Sequence, residues 1–181
     1  MQGNTKDTKM AIFDLDVMDG HTSYGQSASL LRRSLPRSPL RVNSLGDIVT
    51  LVVRRSWGGD RLRRLRVFGH GSAGAQGLSD SVHGRSVLPA ADRISAAWME
   101  LCNLAHCFDR GGWIELHGCS VADGEVGKRY VASLARTIGV RVRAGRGAQT
   151  IGGGTTRGFE NFWVEATPLP TGGVSVAGHW P

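Results

Sequence analysis

Long apolar runs are missing from this chain. No stretch of 18 apolar residues occurs, so no membrane span is expected. The polar opening MQGNTKDTK lacks the basic and apolar regions of a secretory leader. The expectation is a cytoplasmic protein, or one secreted as an effector without a classical signal peptide. Cysteine is scarce: Cys102, Cys107 and Cys119 cannot all pair with one another, which leaves core packing or chemistry as their roles. Cys102, His106 and Cys107 lie close together, with His117 and Cys119 further on, but no CxxC pair occurs, so no metal is expected. Aromatic residues make up 7% of the chain and hardly interleave with the arginines, which argues against a single-stranded nucleic-acid partner. The glycine-rich stretch GRGAQTIGGGTTRG lacks the Gly-Lys-Ser/Thr of a phosphate loop; an active-site flap is the better reading. No internal repeat is found.

What is present suits one domain over residues 1–181, with 1–9 outside its folded part, because 181 residues at 40% apolar can enclose one full core. The net charge of +7 comes from arginine clusters, LLRRSLPRSPLR, RRSWGGDRLRRLR and VRVRAGR. Such clusters point either to an anionic partner or to solvated faces that keep the chain dispersed.

Periodicity orders the elements. MAIFDLDV reads as a strand, SASLLRR as a short helix, and SLPRSPL as a connector, since each proline biases its neighbour away from helix. After Ser44, a plausible N-cap, LGDIVTLVVRRS sets Leu45, Ile48, Val49, Val52 and Val53 on one helical face, although its β-branched content leaves a strand as the competitor. LRRLRVF is a buried strand, ADRISAAWMELCNLAHCF a helix, GGWIELHGC a strand. EVGKRYVASLARTIG is a helix with Val126, Tyr130, Leu134 and Ile138 inward and Gly139 as its C-terminal cap. VRVRAG is a short strand, and ENFWVEATPL with GVSVAGHW a terminal hairpin. Alternating strands and helices imply an α/β fold around a mostly parallel sheet, whose ligands sit at the carboxyl ends of the strands.

Two strands end alike. RVFGHGSAG closes on His70-Gly71, and WIELHGCSVADG on His117-Gly118 followed by Cys119. A thiol attacks a carbonyl as thiolate, so it needs a base nearby. His117 would share a strand face with Cys119; His70 would come from a neighbouring strand. Either histidine could take the thiol proton and return it to a leaving amine. A glycine after a histidine can offer an unobstructed amide to an oxyanion. His21, His83 and His179 lie in Gly- or Ser-rich segments and read as surface residues.

These two strands resemble the signature strands of the caspase-like cysteine peptidases, above all the bacterial caspase-like domains of RTX-type toxins and surface proteins. GHG and GCS are the shared strings, His70 lies about 50 residues upstream of Cys119 as in caspases, and FWVEA matches a late strand of those domains. The resemblance implies a three-layer sandwich, a mostly parallel sheet flanked by helices, with a C-terminal hairpin. It implies a cysteine endopeptidase, a bacterial effector, toxin-associated or defence protease, with Cys119 as nucleophile, His70 as base and acid, and the amides of Gly71 and Cys119 as oxyanion hole. Substrate-pocket walls would come from His117, from Asp16 or Asp19, and from Arg143 to Gly145. His117 departs from the Gln or Glu of the relatives. Protein or peptide substrates are implied, and no cofactor. The toxin peptidases are activated by an inositol polyphosphate, and Arg141, Arg143 and Arg146 would be the basic residues for such an anionic regulator. The alternative is a degenerate caspase-like domain acting as an adaptor or binding module.

Overall fold

Alternation along the strands sets the architecture. In Ile12–Asp19 (β1), Phe13, Leu15 and Val17 are buried, while the interleaved Asp14 and Asp16 occupy the other face. Arg61–Phe68 (β3), Phe108–His117 (β7), Arg141–Gly145 (β8) and Trp163–Pro168 (β9) repeat the pattern, with Leu65 and Val67, Ile114 and Leu116, Val142 and Ala144, and Val164 and Ala166 buried. Together with Leu40–Val42 (β2) and Val174–His179 (β10) they form one seven-stranded sheet in the order β10-β9-β8-β7-β3-β1-β2. The computed structural model describes residues 10–20, 35, 37–78, 86–87, 100, 102–149, 159 and 162–179.

From β2 to β8 the strands run parallel. β9 is antiparallel to β8, and β10 returns beside β9 as the expected terminal hairpin. Gly71–Ser72 (β4), Ala75–Leu78 (β5) and Ser86–Val87 (β6) make a separate small sheet just beyond β3. This is a mixed α/β fold with a mostly parallel centre.

The helix Leu45–Ser56 (α1) prevails over its strand competitor because its start is doubly capped. The Ser44 hydroxyl accepts from the Asp47 amide at 3.0 Å, and the Asp47 carboxylate accepts from the Ser44 and Asn43 amides. Leu45, Ile48 and Val52 face inward. The helix Gly124–Ile138 (α2) ends at Gly139, which takes the left-handed φ of 72° that a helix terminus of this kind requires. Both helices contribute to one core with the apolar sheet face, where Ile48, Leu65, Leu104, Ile114, Leu134 and Ile138 meet. The described residues thus carry two of the three expected layers.

Some expectations are corrected. Val126 is 65% exposed, and α2 instead buries Gly127, Tyr130, Val131, Leu134, Ala135 and Ile138. The inward stripe starts one residue later because the backbone of Gly127 lies directly against Ala122, leaving no room for a side chain. The helix expected through Phe108 stops sooner: Cys102–Leu104 are helical, Ala105–Cys107 form a 3-10 turn, and Phe108 already belongs to β7. Residues 1–9, the short helix at 27–33, most of the helix from 91 and the core of the glycine-rich stretch, 150–158, lie outside the described residues. No helix among the described residues is long and apolar enough to cross a membrane.

Candidate active site

The two His-Gly turns emerge side by side. β3 and β7 are adjacent and parallel, and their last paired row sets Phe68 opposite His117. His70 and Cys119 each follow two residues later, on equivalent steps past the carboxyl rim. The turns then pack backbone against backbone. A Cβ on Gly71 would lie 2.8 Å from the Cys119 nitrogen and 2.7 Å from its oxygen, and one on Gly118 would lie 2.9 Å from the Gly71 Cα. Glycine is required at both positions by this approach. His70 is exposed and Cys119 partly exposed, so the imidazole-bearing and thiol-bearing residues share one solvent-accessible rim.

A buried glutamine underlies the His70 turn. Gln76 on β5 has no exposed surface; its side-chain amide donates to the carbonyls of Gly77, at 3.4 Å, and His70, at 3.5 Å. The Gly77 amide also donates to the His70 carbonyl at 2.6 Å, closing the hairpin back on the turn. The hydroxyl of Tyr130 on α2 shares a hydrogen bond with the Gln76 backbone, and burial pushes its phenol well above the ordinary range. At the hairpin tip Gly74, φ 75°, donates its amide to the Val121 carbonyl at 3.0 Å. The His70 hairpin is therefore latched both to the cysteine turn and to the helix that follows it.

On the cysteine side, Ser120 has a φ of 57°, the sole non-glycine in the left-handed region among the described residues. That conformation costs about 1 kcal/mol or more and persists only where its surroundings hold it. Here the Ser120 amide donates to the Gly147 carbonyl and the Ala122 amide to the Gly145 carbonyl, both at 2.9 Å. These bonds bring the β8–β9 connection over the thiol. The Gln149 amide donates to Cys119 Sγ at 3.4 Å, and Sγ lies 3.7 Å from the Gln149 carbonyl oxygen. Gln149 and Gln76 carried no sequence signal beyond being polar residues near glycines.

The expected pocket-wall residues fall into different environments. His117 has a fully buried side chain sandwiched between the rings of Phe68, 4.7 Å away, and Phe159, 4.8 Å away. The stack continues through Trp163 to His179, which packs on Trp163 at 4.2 Å rather than standing free at the surface as expected. Gly145, which faces Trp163 on this row, leaves room for the Gln149 side chain, whose atoms lie where a Cβ would stand. Asp19 is buried at the end of β1, beside Gly69. Asp16 lies within β1, gripped by the Arg66 guanidinium through two bonds of 2.7 and 2.6 Å. Arg143 bonds Glu165 at 2.6 Å and lies 3.7 Å from Glu115.

Asp16, Arg66, Glu115, Arg143 and Glu165 occupy one register row across five strands, with charges alternating in sign. Glu115 sits at its centre. Burial pushes its carboxyl up, but hydrogen bonds from His117 and Trp113 and the electrostatic pull of His117 and Arg64 outweigh this and hold it at about 2. Arg141 donates to the Gly111 carbonyl and Arg146 lies 3.7 Å from Asp123, so the three arginines expected to hold an anionic regulator each have a separate partner. Among the described residues no three His, Cys, Asp or Glu side chains are placed to hold a metal ion.

Residues 40–160 match the model of a family described as a domain of unknown function, DUF4347. No curated protein and no solved structure matches the chain.

Proposed function

The chain belongs to the DUF4347 family, and we propose that it is a caspase-like cysteine endopeptidase working through His70 and Cys119. The observation that carries this reading is the contact between the two turns: neighbouring parallel strands end in His-Gly and His-Gly-Cys, and Gly71 lies against the Cys119 backbone. In this reading the sheet is the middle layer of a caspase-like sandwich.

The chemistry runs in two halves. His70 takes the proton from Cys119 Sγ, and the sulfur attacks the substrate carbonyl carbon. The carbonyl oxygen gathers negative charge, which the Gly71 and Cys119 amides stabilise. As the C–N bond breaks, His70 returns the proton to the departing amine, leaving a thioester. Water, deprotonated by His70, then attacks the thioester and frees the acid product and the thiol. The rigid Gln76-supported hairpin holds the His70 turn in place while this happens, and no cofactor is needed for any step. Asp19, buried near the His70 turn, and the segment 145–149 are the residues best placed to shape the substrate site; His117, closed within its ring stack, acts as packing beneath it.

A positional library of short peptides tests the reading. Cleavage by the wild-type chain falls by at least about a thousandfold in Cys119→Ala and in His70→Ala, while Cys102→Ala leaves it unchanged. Full cleavage by Cys119→Ala would discard the nucleophile.

One observation favours the adaptor alternative. The thiol already has both polar atoms of the Gln149 backbone within 3.7 Å, as a retired nucleophile would. A catalytically silent domain predicts that no library peptide is cleaved, and that Cys119→Ala retains every binding property of the wild type.

A further inference from the structure

Away from the His70–Cys119 rim, the described residues leave the other edge of the sheet incompletely covered. β2 is three residues long and pairs with β1 only from Val17 to Asp19. Over Ile12–Asp16, β1 has no ladder partner on that side among the described residues. A strand edge left this way presents a row of backbone N–H and C=O groups that natural proteins usually cover or blunt.

A cavity of about 470 Å³ runs along this edge, lined by all five residues from Ile12 to Asp16, by Ser38 and Leu40, and by arginines 37, 55, 63, 64 and 66. Two carboxylates face five guanidinium groups, and both carboxylates are already taken. Asp14 accepts from Arg63 at 2.9 and 2.8 Å and from Arg64 at 3.1 Å; Asp16 accepts from Arg66. Asp14 is held below the usual carboxylate range, first by the Arg63 hydrogen bond against a smaller cost of burial. Arg37 and Arg55 have no carboxylate partner among the described residues; Arg55 rests on the ring of Phe13, 4.4 Å from its centroid. Ile12 and Leu40 add apolar surface, 52% and 46% exposed.

We propose that this edge takes up an acidic protein segment in extended conformation, which adds to the sheet as a strand beside Ile12–Asp16 and is held by Arg37 and Arg55. Backbone hydrogen bonds to the open edge would supply affinity, and alternate side chains would supply selectivity: acids toward the two unpaired arginines, apolar residues toward Ile12 and Leu40. The surplus positive charge selects the sign of the partner, and the bare backbone edge selects a peptide over other polyanions. The proposal stands whether or not Cys119 is a nucleophile.

The test uses the full chain and a fluorescein-labelled twelve-residue peptide alternating Glu with Val or Thr, followed by anisotropy. Three controls accompany it: the same sequence with Lys for Glu, the acidic peptide N-methylated at alternate residues, and a single-stranded oligonucleotide of equal charge. The acidic peptide binds, and the Lys peptide does not. Arg37→Glu combined with Arg55→Glu weakens binding by about tenfold or more; both residues are exposed, so the fold tolerates the change. N-methylation weakens it comparably, and hydrogen exchange at the amides of 12–16 slows on binding. Equal binding of the N-methylated peptide, tighter binding of the oligonucleotide, or unchanged exchange at 12–16 would overturn the proposal, as would an absence of binding.

Discussion

Glu115 shows how much one side chain can contribute when its charge is enclosed. Its carboxyl is 9% exposed, accepts from Trp113 Nε1 at 2.8 Å and lies 3.2 Å from His117 Nε2. Holding the folded-state value at about 2 against an ordinary 4.5 corresponds to roughly 3 kcal/mol of stability. The folded state lowers this group's affinity for protons, so the contribution is complete above about pH 5 and disappears as pH falls toward 2. Glu115→Gln is therefore expected to lose about 2–3 kcal/mol in urea melts at pH 7, and the gap from wild type should close between pH 5 and pH 2. A gap independent of pH would mean that the loss is one of packing. The sequence displayed the ingredients of this row, Asp16, Arg66, Glu115, Arg143 and Glu165, at alternating strand positions. Their pairing was not legible there, because opposite charges on neighbouring strands meet only once the register is known.

At the scale of elements the sequence was more legible. Alternating apolar residues located β1, β3, β7, β8 and the β9–β10 hairpin, and i, i+4 spacing located α1 and α2, because both signals are local. Val126 was misplaced since it fits the helical period; the close approach of Gly127 to Ala122 that rotates the helix is a long-range fact. β2 itself was missed: SLPRSPL reads as a connector, and the strand that begins at its last residue has only Leu40 and Val42 as apolar positions. The same local logic gives a prediction for α1. Ser44→Ala removes one half of the capping box and should cost about 1 kcal/mol in urea unfolding, whereas Ser44→Asp, which can still accept the Asp47 amide, should keep most of that stability. Equal losses in both variants would show that the cap does not determine where this helix begins.

For the molecule as a whole, the arrangement follows from strand order. Placing β3 beside β7 brings together two turns separated by nearly fifty residues, and the Gln76 hairpin on one side and the β8–β9 connection on the other hold them there. The sequence named His70 and Cys119 because their flanking strands looked alike. The residues alone offer His117 as a second candidate base, and the resemblance gives that role to His70; the structure seals His117 between Phe68 and Phe159 and leaves His70 at the open rim. The supporting glutamines were out of reach, since nothing local marks a residue that becomes important only when two distant turns meet over it.

The central claim is that the His70 imidazole serves the Cys119 sulfur, and the rate of thiol alkylation tests it most directly. Iodoacetamide at pH 6, with modification at each cysteine followed by peptide mass spectrometry, should label Cys119 at least about tenfold faster than Cys102. His70→Ala should abolish that advantage, and His117→Ala, if folded, should not. Labelling of Cys119 at the same rate in wild type and His70→Ala would contradict the pairing.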